Sequence, residues 1–331
     1  MFGVVICARL HFLVVSLALA PFLLTAWLTP ANAQERARVY RLGHLSPTVE
    51  SERRTREFAL PELAQLGFVE GRNLELLIRS GHAIALPDLA RELLATKPDA
   101  IIAIGGRAVR AAREATNSIP IVMLANDPIG LGVVTSFARP GSNVTGIANM
   151  VFELQGKRLA LLLEAVPKAR RVAVLLQRSS NSQGEHTLRA SALAAGIELL
   201  IYTADRRSDY QVAFAAMRAD GAEALLIGAA PELFRDGKLR AALALEARLP
   251  TSCEWVDMAR DGCLLGYGAN VREIRRRLAQ YVALVLRGAK PGDLPIEQPT
   301  MFEFAVNLKT AGALGVTIPP ALLQRADEVI D

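Results

Sequence analysis

"LARELLATKPDAIIAIGG" (Leu89–Gly106) carries the fold in its hydrophobic period. Leu86, Leu89, Leu93 and Leu94 recur at helical spacing, and Pro98 stops that pattern. An unbroken apolar run, Ala100–Ile104, follows and ends in a Gly-Gly turn. A strand with no polar face is one covered on both sides, as in parallel sheets. "AFAAMRADGAEALLIGAA" (Ala213–Ala230) repeats the order of helix, break, apolar strand and small-residue turn with negligible identity. The two stretches share an architecture rather than a sequence.

The same alternation extends outward from both. Before the first stretch come a strand in "RVYRLGHLS" (Arg38–Ser46), a helix in "ESERRTREFALPELAQLGF" (Glu50–Phe68) with Phe58, Leu63 and Leu66 on one face, and a strand in "NLELLIRSG". After it come a helix in "RAVRAAREATNS", a buried strand in "IPIVMLAND", a helix over Pro128–Asn143, and a short strand in "VTGIANM" leading away. The rhythm restarts with a helix in "ELQGKRLALLLEAVP" and strands in "RRVAVLLQ", "IELLIYTAD" and "CLLGYG". One further helix is expected over "PELFRDGKLRAALALEARL". Strands alternating with helices of this length imply parallel sheets covered on both faces. Two runs imply two doubly wound α/β lobes.

Ligands of open α/β sheets sit beyond the carboxyl ends of the strands. That rule nominates His44, Leu45 and Ser46, then Gly106 and Arg107, Asn126 and Asp127, and, in the second lobe, Asn181. "IGGRA" opens a helix whose free N–H groups suit a carboxylate or phosphate, or it is an ordinary strand-to-helix turn. Asp127 caps the segment after it, accepts from a ligand amine, or does both. "CEWVDMARDGCLLGYG" concentrates Glu254, Trp255 and Tyr267, which suit either a pocket wall or the core. "GLGVVT" at Gly130–Thr135 lacks the third glycine and the preceding first strand of a dinucleotide fingerprint. No GxSxG elbow, no CxxC and no zinc-spaced His/Cys cluster occurs, so no catalytic residue, metal or cofactor is expected.

The chain has 331 residues, with 38 basic against 33 acidic side chains. That small, scattered excess argues against a nucleic-acid partner. The one basic run, "REIRRR" (Arg272–Arg277), reads as a solvated helix face. At the start, Arg9 and His11 precede an apolar run, Phe12–Trp27, and "ANA" at Ala31–Ala33. This is the pattern of a secretory signal cleaved after Ala33, with an uncleaved anchor as the alternative. Export permits a disulfide between Cys253 and Cys263, but two cysteines ten residues apart do not establish one, and two buried free thiols are the expected reading.

Several stretches together resemble the ABC transporter substrate-binding protein family that includes tryptophan/tyrosine transport binding proteins. They are "LGFVEGRNLELLIRSG", "LPDLARELLATKPDAIIAIG", "IPIVMLANDPIGLGVVTSFARPGSNVTGI", "GKRLALLLEAVP", "EWVDMARDGCLLGYG" and "RGAKPGDLPIEQPTMFEFAVNLKTAGALGVTIPPALLQRADEVI". The resemblance implies a type I periplasmic-binding-protein fold: two lobes joined by three hinge crossovers that close over a small ligand. The expected division is a signal peptide at 1–33, a first lobe at 34–147 plus about 269–299, and a second at 148–268 plus about 300–331. It implies a monomeric periplasmic binder of a small polar or aromatic molecule, an amino acid or organic acid. Its partners would be an inner-membrane ABC permease and its ATPase. The same fold would also serve a periplasmic ligand sensor for a membrane receptor, and an exported α/β enzyme is a further alternative. Relatives often have "SYG" where this chain has "GYG" at Gly266–Gly268, and "GAAPE" supplies no Asp for a ligand amine.

Overall fold

The computed structural model describes residues 38–177, 182–228 and 230–331. The expected signal segment and Asn181 lie outside the described residues. Five strands form the first sheet: β1 (Tyr40–Ser46), β2 (Leu74–Ser80), β3 (Ala100–Ile104), β4 (Ile121–Asn126) and β5 (Val144–Asn149). Their order is β2-β1-β3-β4-β5, and every pairing is parallel. Alternate side chains of these strands point to opposite faces. Leu42, Ile102 and Leu124 pack on one face with Ile274, Leu278 and Val282 of the helix Val271–Leu286. Leu45, Ile101 and Met123 pack on the other with Leu86, Leu93 and Val109.

The second sheet holds β6 (Arg171–Leu176), β7 (Glu198–Thr203), β8 (Ala224–Ile227), β9 (Thr251–Cys253), β10 (Leu265–Ala269), β11 (Phe302–Asn307) and β12 (Glu328–Ile330). Its order is β12-β11-β10-β9-β8-β6-β7; among the described residues its pairings are parallel except that of β11 with β10, so β11 and β12 run against the other strands. The chain passes to this sheet after β5. It returns after β10 through Asn270, whose side chain caps the helix Val271–Leu286 by accepting from Glu273 N at 2.7 Å. It passes back through Glu297, which bridges to Ile147 at the edge of the first sheet before β11 begins. Glu297 N donates to Gly146 O at 3.0 Å, and Ala148 N donates to Glu297 O at 2.8 Å. Cys253 and Cys263 are bonded, with their Cα atoms 6.3 Å apart.

The structure departs from the sequence expectations in several places. Pro128–Asn143 forms successive turns rather than a helix. Asp127 (φ 42), Gly132 (φ 69) and Gly141 (φ 68) place the backbone in the left-handed region, and Asp127 Oδ1 accepts from Gly130 N at 2.8 Å. That local hydrogen bond competes with a helix. The helix expected over Glu50–Phe68 is interrupted by a π turn, Thr55–Ala59, between Val49–Arg54 and Leu60–Gln65. Pro61 has no N–H to give to the carbonyl one turn back, and Leu60 N donates to Thr55 O instead. The helix over "PELFRDGKLRAALALEARL" breaks at Asp236 into Pro231–Arg235 and Gly237–Glu246. The strands β9 and β12, three residues each, were too short for periodicity to find. Arg275, read as part of a solvated face, is buried.

Candidate functional site

A cavity of about 350 Å³ lies between the carboxyl ends of the two sheets. From the first sheet come Gly105 and Gly106 after β3, Asn126 at the end of β4 and Asn149 at the end of β5. Gly105 has φ 85, and a Cβ there would come within 3.1 Å of Pro231, which stands on the opposite lobe. Only glycine takes that turn without strain. Arg107 lies on the cavity wall in the first turn of the helix Gly106–Ala115. The second sheet contributes Gln177 after β6, Ala230 and Phe234 after β8, and Glu254 and Trp255 after β9. Phe234 and Trp255 meet edge to face with centroids 4.9 Å apart, giving an aromatic wall.

The lobes touch through Arg54. Its Nη1 lies 2.5 Å from Asp257 Oδ2 on the second lobe, and its Nε lies 3.0 Å from Glu50 Oε1 on its own helix. The Arg54 guanidinium also sits 4.9 Å from the centroid of Phe234. Charge-assisted and cation–π contacts thus close one rim of the cavity.

Two buried ionisable groups, a base and an acid, line the cavity from opposite lobes. Arg275 donates from Nη1 to Thr55 Oγ1 at 3.0 Å, while its Nε has no partner. Burial, and then the charge of Arg54, push its guanidinium down to about 10. Glu254 is 2% exposed, and its Oε2 has no partner. Burial pushes its carboxyl up to about 8, against the pull of Arg158. Arg158 lies beneath, fully buried. Its Nε donates to Tyr267 O at 2.9 Å, and neither Nη atom has a partner. The amide oxygens of Asn126 and Asn149 are also buried without partners. A buried polar group without a partner is costly, and several around one cavity mark a place built for a ligand.

Of the residues nominated from sequence, Gly106, Arg107, Asn126, Glu254 and Trp255 line the cavity. The others that are described do not. His44 is fully buried inside the first lobe, with Nε2 3.1 Å from Thr55 Oγ1. Burial, with the charges of Arg275 and Arg56, pushes it down to about 3, so it is a neutral structural group. Leu45 belongs to the core. Ser46 is buried and donates to Thr48 O at 2.9 Å. Asp127 stabilises its own turn. Tyr267 stacks on Phe302, with centroids 6.5 Å apart and planes at 19°, and edge-on against Phe304. Gly266 has no room for a side chain, because a Cβ would meet Trp255 O at 2.5 Å.

The sequence missed Arg54, Asn149, Gln177, Phe234 and Arg275. Asn149 and Gln177 end strands, so the rule that found Asn126 would have found them too. Arg275 carried no signal, because its helix reaches the first sheet from far along the chain. Among the described residues no group of three His, Cys, Asp or Glu could hold a metal ion.

The pattern of the family described as "ABC transporter substrate binding protein" matches residues 60–330. A "Tyrosine-binding protein" from Clostridioides difficile is 24% identical over 257 residues, 76% of this chain and 74% of that one. A solved domain from Streptococcus pneumonia, in complex with L-Trp, superposes with a TM-score of 0.81 at 21% identity, covering 88% of this chain and 100% of its own. A conserved domain protein from Vibrio cholerae gives a TM-score of 0.81 at 26% identity, covering 88% and 99%.

Proposed function

The chain belongs to the ABC transporter substrate-binding protein family and is a solute-binding protein, and from that premise we propose that its ligand is a small polar or aromatic molecule, an amino acid or organic acid, enclosed between the two lobes. The observation that carries this reading is the interlobe cavity, with an aromatic wall and buried polar atoms that lack partners. Pockets of this kind bind through an apolar body and a few placed polar groups. Phe234 and Trp255 take the flat or apolar part. Asn126, Asn149 and Gln177 supply hydrogen bonds from strand ends. The Arg54–Asp257 contact forms only when the lobes meet, so a ligand that touches both lobes stabilises the closed form.

The protein is exported, acts as a monomer and delivers its ligand unchanged to a permease driven by a separate ATPase. The bonded Cys253–Cys263 pair supports an oxidising compartment. A thermal-shift screen of the chain from Gln34 onward tests the reading, using amino acids, aromatic acids and small organic anions. A ligand at 100 times its Kd raises stability by ~2.7 kcal/mol. A screen in which no class raises the melting point removes the reading's support.

A further inference from the structure

We propose that the Cys253–Cys263 bond and the glycines of β10 are positioning elements: together they hold the loop that sets Trp255 into the cavity wall and Asp257 onto Arg54. The consequence for binding rests on the proposed function, whereas the positioning itself is read without a ligand.

The loop begins where β9 leaves its sheet. Ser252 and Cys253 pair with Leu265 and Gly266, and the ladder between β9 and β10 ends there. Glu254 and Trp255 then line the cavity, the helix Val256–Arg260 follows, and the chain re-enters the sheet just after Cys263. The bond joins the two ends of this loop at its base, between buried cysteines 10 apart in sequence. The loop carries contacts of two kinds. Trp255 meets Phe234 edge to face on the cavity wall, and Asp257 Oδ2 lies 2.5 Å from Arg54 Nη1 on the opposite lobe. One covalent tie therefore governs both the shape of the wall and the contact that closes the rim.

The two halves of the loop are held differently. Its outer half is anchored by the end of the chain. Asn307 Nδ2 donates to Ala259 O at 2.7 Å, Thr310 Oγ1 donates to Gly262 O at 3.0 Å, and Arg260 Nε donates to Glu328 Oε1 at 2.8 Å. The inner half, Glu254 and Trp255, is held by the bond at Cys253 and by the surface of β10 beneath it. There the two backbones touch. A Cβ on Gly268 would overlap Glu254 O, and one on Gly266 would meet Trp255 O at 2.5 Å. Glycine inside a strand marks such a close approach of another backbone, and a side chain at either place would lift the loop. A wall that is in place for only part of the time binds more weakly in proportion to that fraction.

The chain from Gln34 onward keeps every described residue and has one tryptophan, Trp255, because the other, Trp27, precedes it. Its fluorescence reports on this loop alone. Cys253→Ala with Cys263→Ala removes the bond and leaves neither thiol nor hydroxyl in a dry interior. Well below the melting point, circular dichroism should be unchanged, while the nanosecond part of the Trp255 anisotropy decay grows and acrylamide quenches Trp255 more. Where that pair does not fold, the unaltered chain is read before and after reduction by dithiothreitol. The reductant gives the bond two electrons and two protons, yielding two thiols, and leaves as its own cyclic disulfide. Gly266→Ala keeps the bond, lifts the loop and should shift Trp255 in the same direction. Calorimetry with each compound that raises the melting point in the screen then reads the consequence, a loss of about tenfold in affinity for a wall in place about a tenth of the time. A Trp255 as rigid without the bond as with it overturns the proposal, as does an unchanged affinity. A bond that serves stability alone lowers the melting point and moves neither reading. If no compound binds, the anisotropy still decides the positioning, and the solute-binding reading is what falls.

Discussion

The two lobes handle buried charge in opposite ways. In the first, Arg275 lies against a hydroxyl, Thr55, and a histidine that stays neutral because protonating it would place two cations together in a dry interior. In the second, Arg158 lies near a carboxyl that burial keeps protonated, yet no ion pair forms between them. The lobes also differ in assembly. The first sheet is one continuous run of chain, β1 to β5, all parallel. The second borrows β11 and β12 from the end of the chain, after the return helix has packed on the first lobe. A sheet completed from afar depends on the crossings, whereas a contiguous one does not. The same crossings carry Arg275 to the cavity.

The sharpest way to break that comparison is to remove the borrowed strands. Ending the chain at Thr300 strips β10 of its antiparallel partner and takes Phe304, Val306 and Leu322 out of a buried cluster. The expected outcome is loss of cooperative folding of the second lobe, a loss comparable to a domain's whole stability of ~5–15 kcal/mol. Circular dichroism melting against the full chain checks it, and an unchanged transition would mean that the end of the chain is an appendage.

Reducing the disulfide probes the same lobe more gently. The bonded cysteines are 10 residues apart in sequence, so the bond's entropic contribution is about 2–3 kcal/mol. Thiol reductant should lower the melting point, and Cys253→Ser with Cys263→Ser should remove the response.

Arg54→Ala tests the contact between the lobes. It removes the Asp257 ion pair and the Phe234 contact together. A charged hydrogen bond of this kind is worth about 1.5–3 kcal/mol. The closed form should lose population, seen as a larger radius of gyration in small-angle scattering, while the melting point of each lobe moves little.

The pH effects are the most diagnostic, because their signs oppose. His44 has a folded value near 3 against 6.5, so the unfolded chain binds more protons between those values and stability falls as pH drops through them. Glu254 has a folded value near 8 against 4.5, so the folded chain holds the extra proton and stability falls as pH rises from about 4.5 to 8. Each slope approaches ~1.4 kcal/mol per pH unit in mid-window. His44→Gln should flatten the fall below about pH 4.5, and Glu254→Gln the fall above about pH 6.5, in melts taken across pH; between those values the two slopes oppose, and each variant uncovers the other's slope. Effects on the same side would end the contrast between the lobes.

Much of the fold was legible because it rests on local periodicity. The apolar runs at Ala100–Ile104 and Ala224–Ile227 are buried strands in the structure. Pro128–Asn143 was misread, since its apolar spacing suited a helix while Asp127 and the glycines had already committed the backbone to turns. The strand-end rule reached Gly106, Arg107 and Asn126, and it also nominated His44 and Ser46, which point inward. Position at a strand end is a property of the sequence pattern. The direction of a side chain there depends on what packs over it.

The sequence alone determined that this chain builds two parallel-sheet lobes, because side-chain period and turn chemistry act between residues close in the chain. It also gave the family resemblance, which the match over residues 60–330 bears out. Tertiary structure decided which groups face the cavity. Arg275 looked like one of several solvated arginines until its helix packed on the first sheet, and Glu254 suited pocket wall and core equally until β9 was placed between β8 and β10. The physical reason is that burial and unmet hydrogen bonding are properties of surroundings. The surroundings of these residues are assembled by crossings that bring together segments more than a hundred residues apart, as when Arg275 reaches Thr55 across 220 positions.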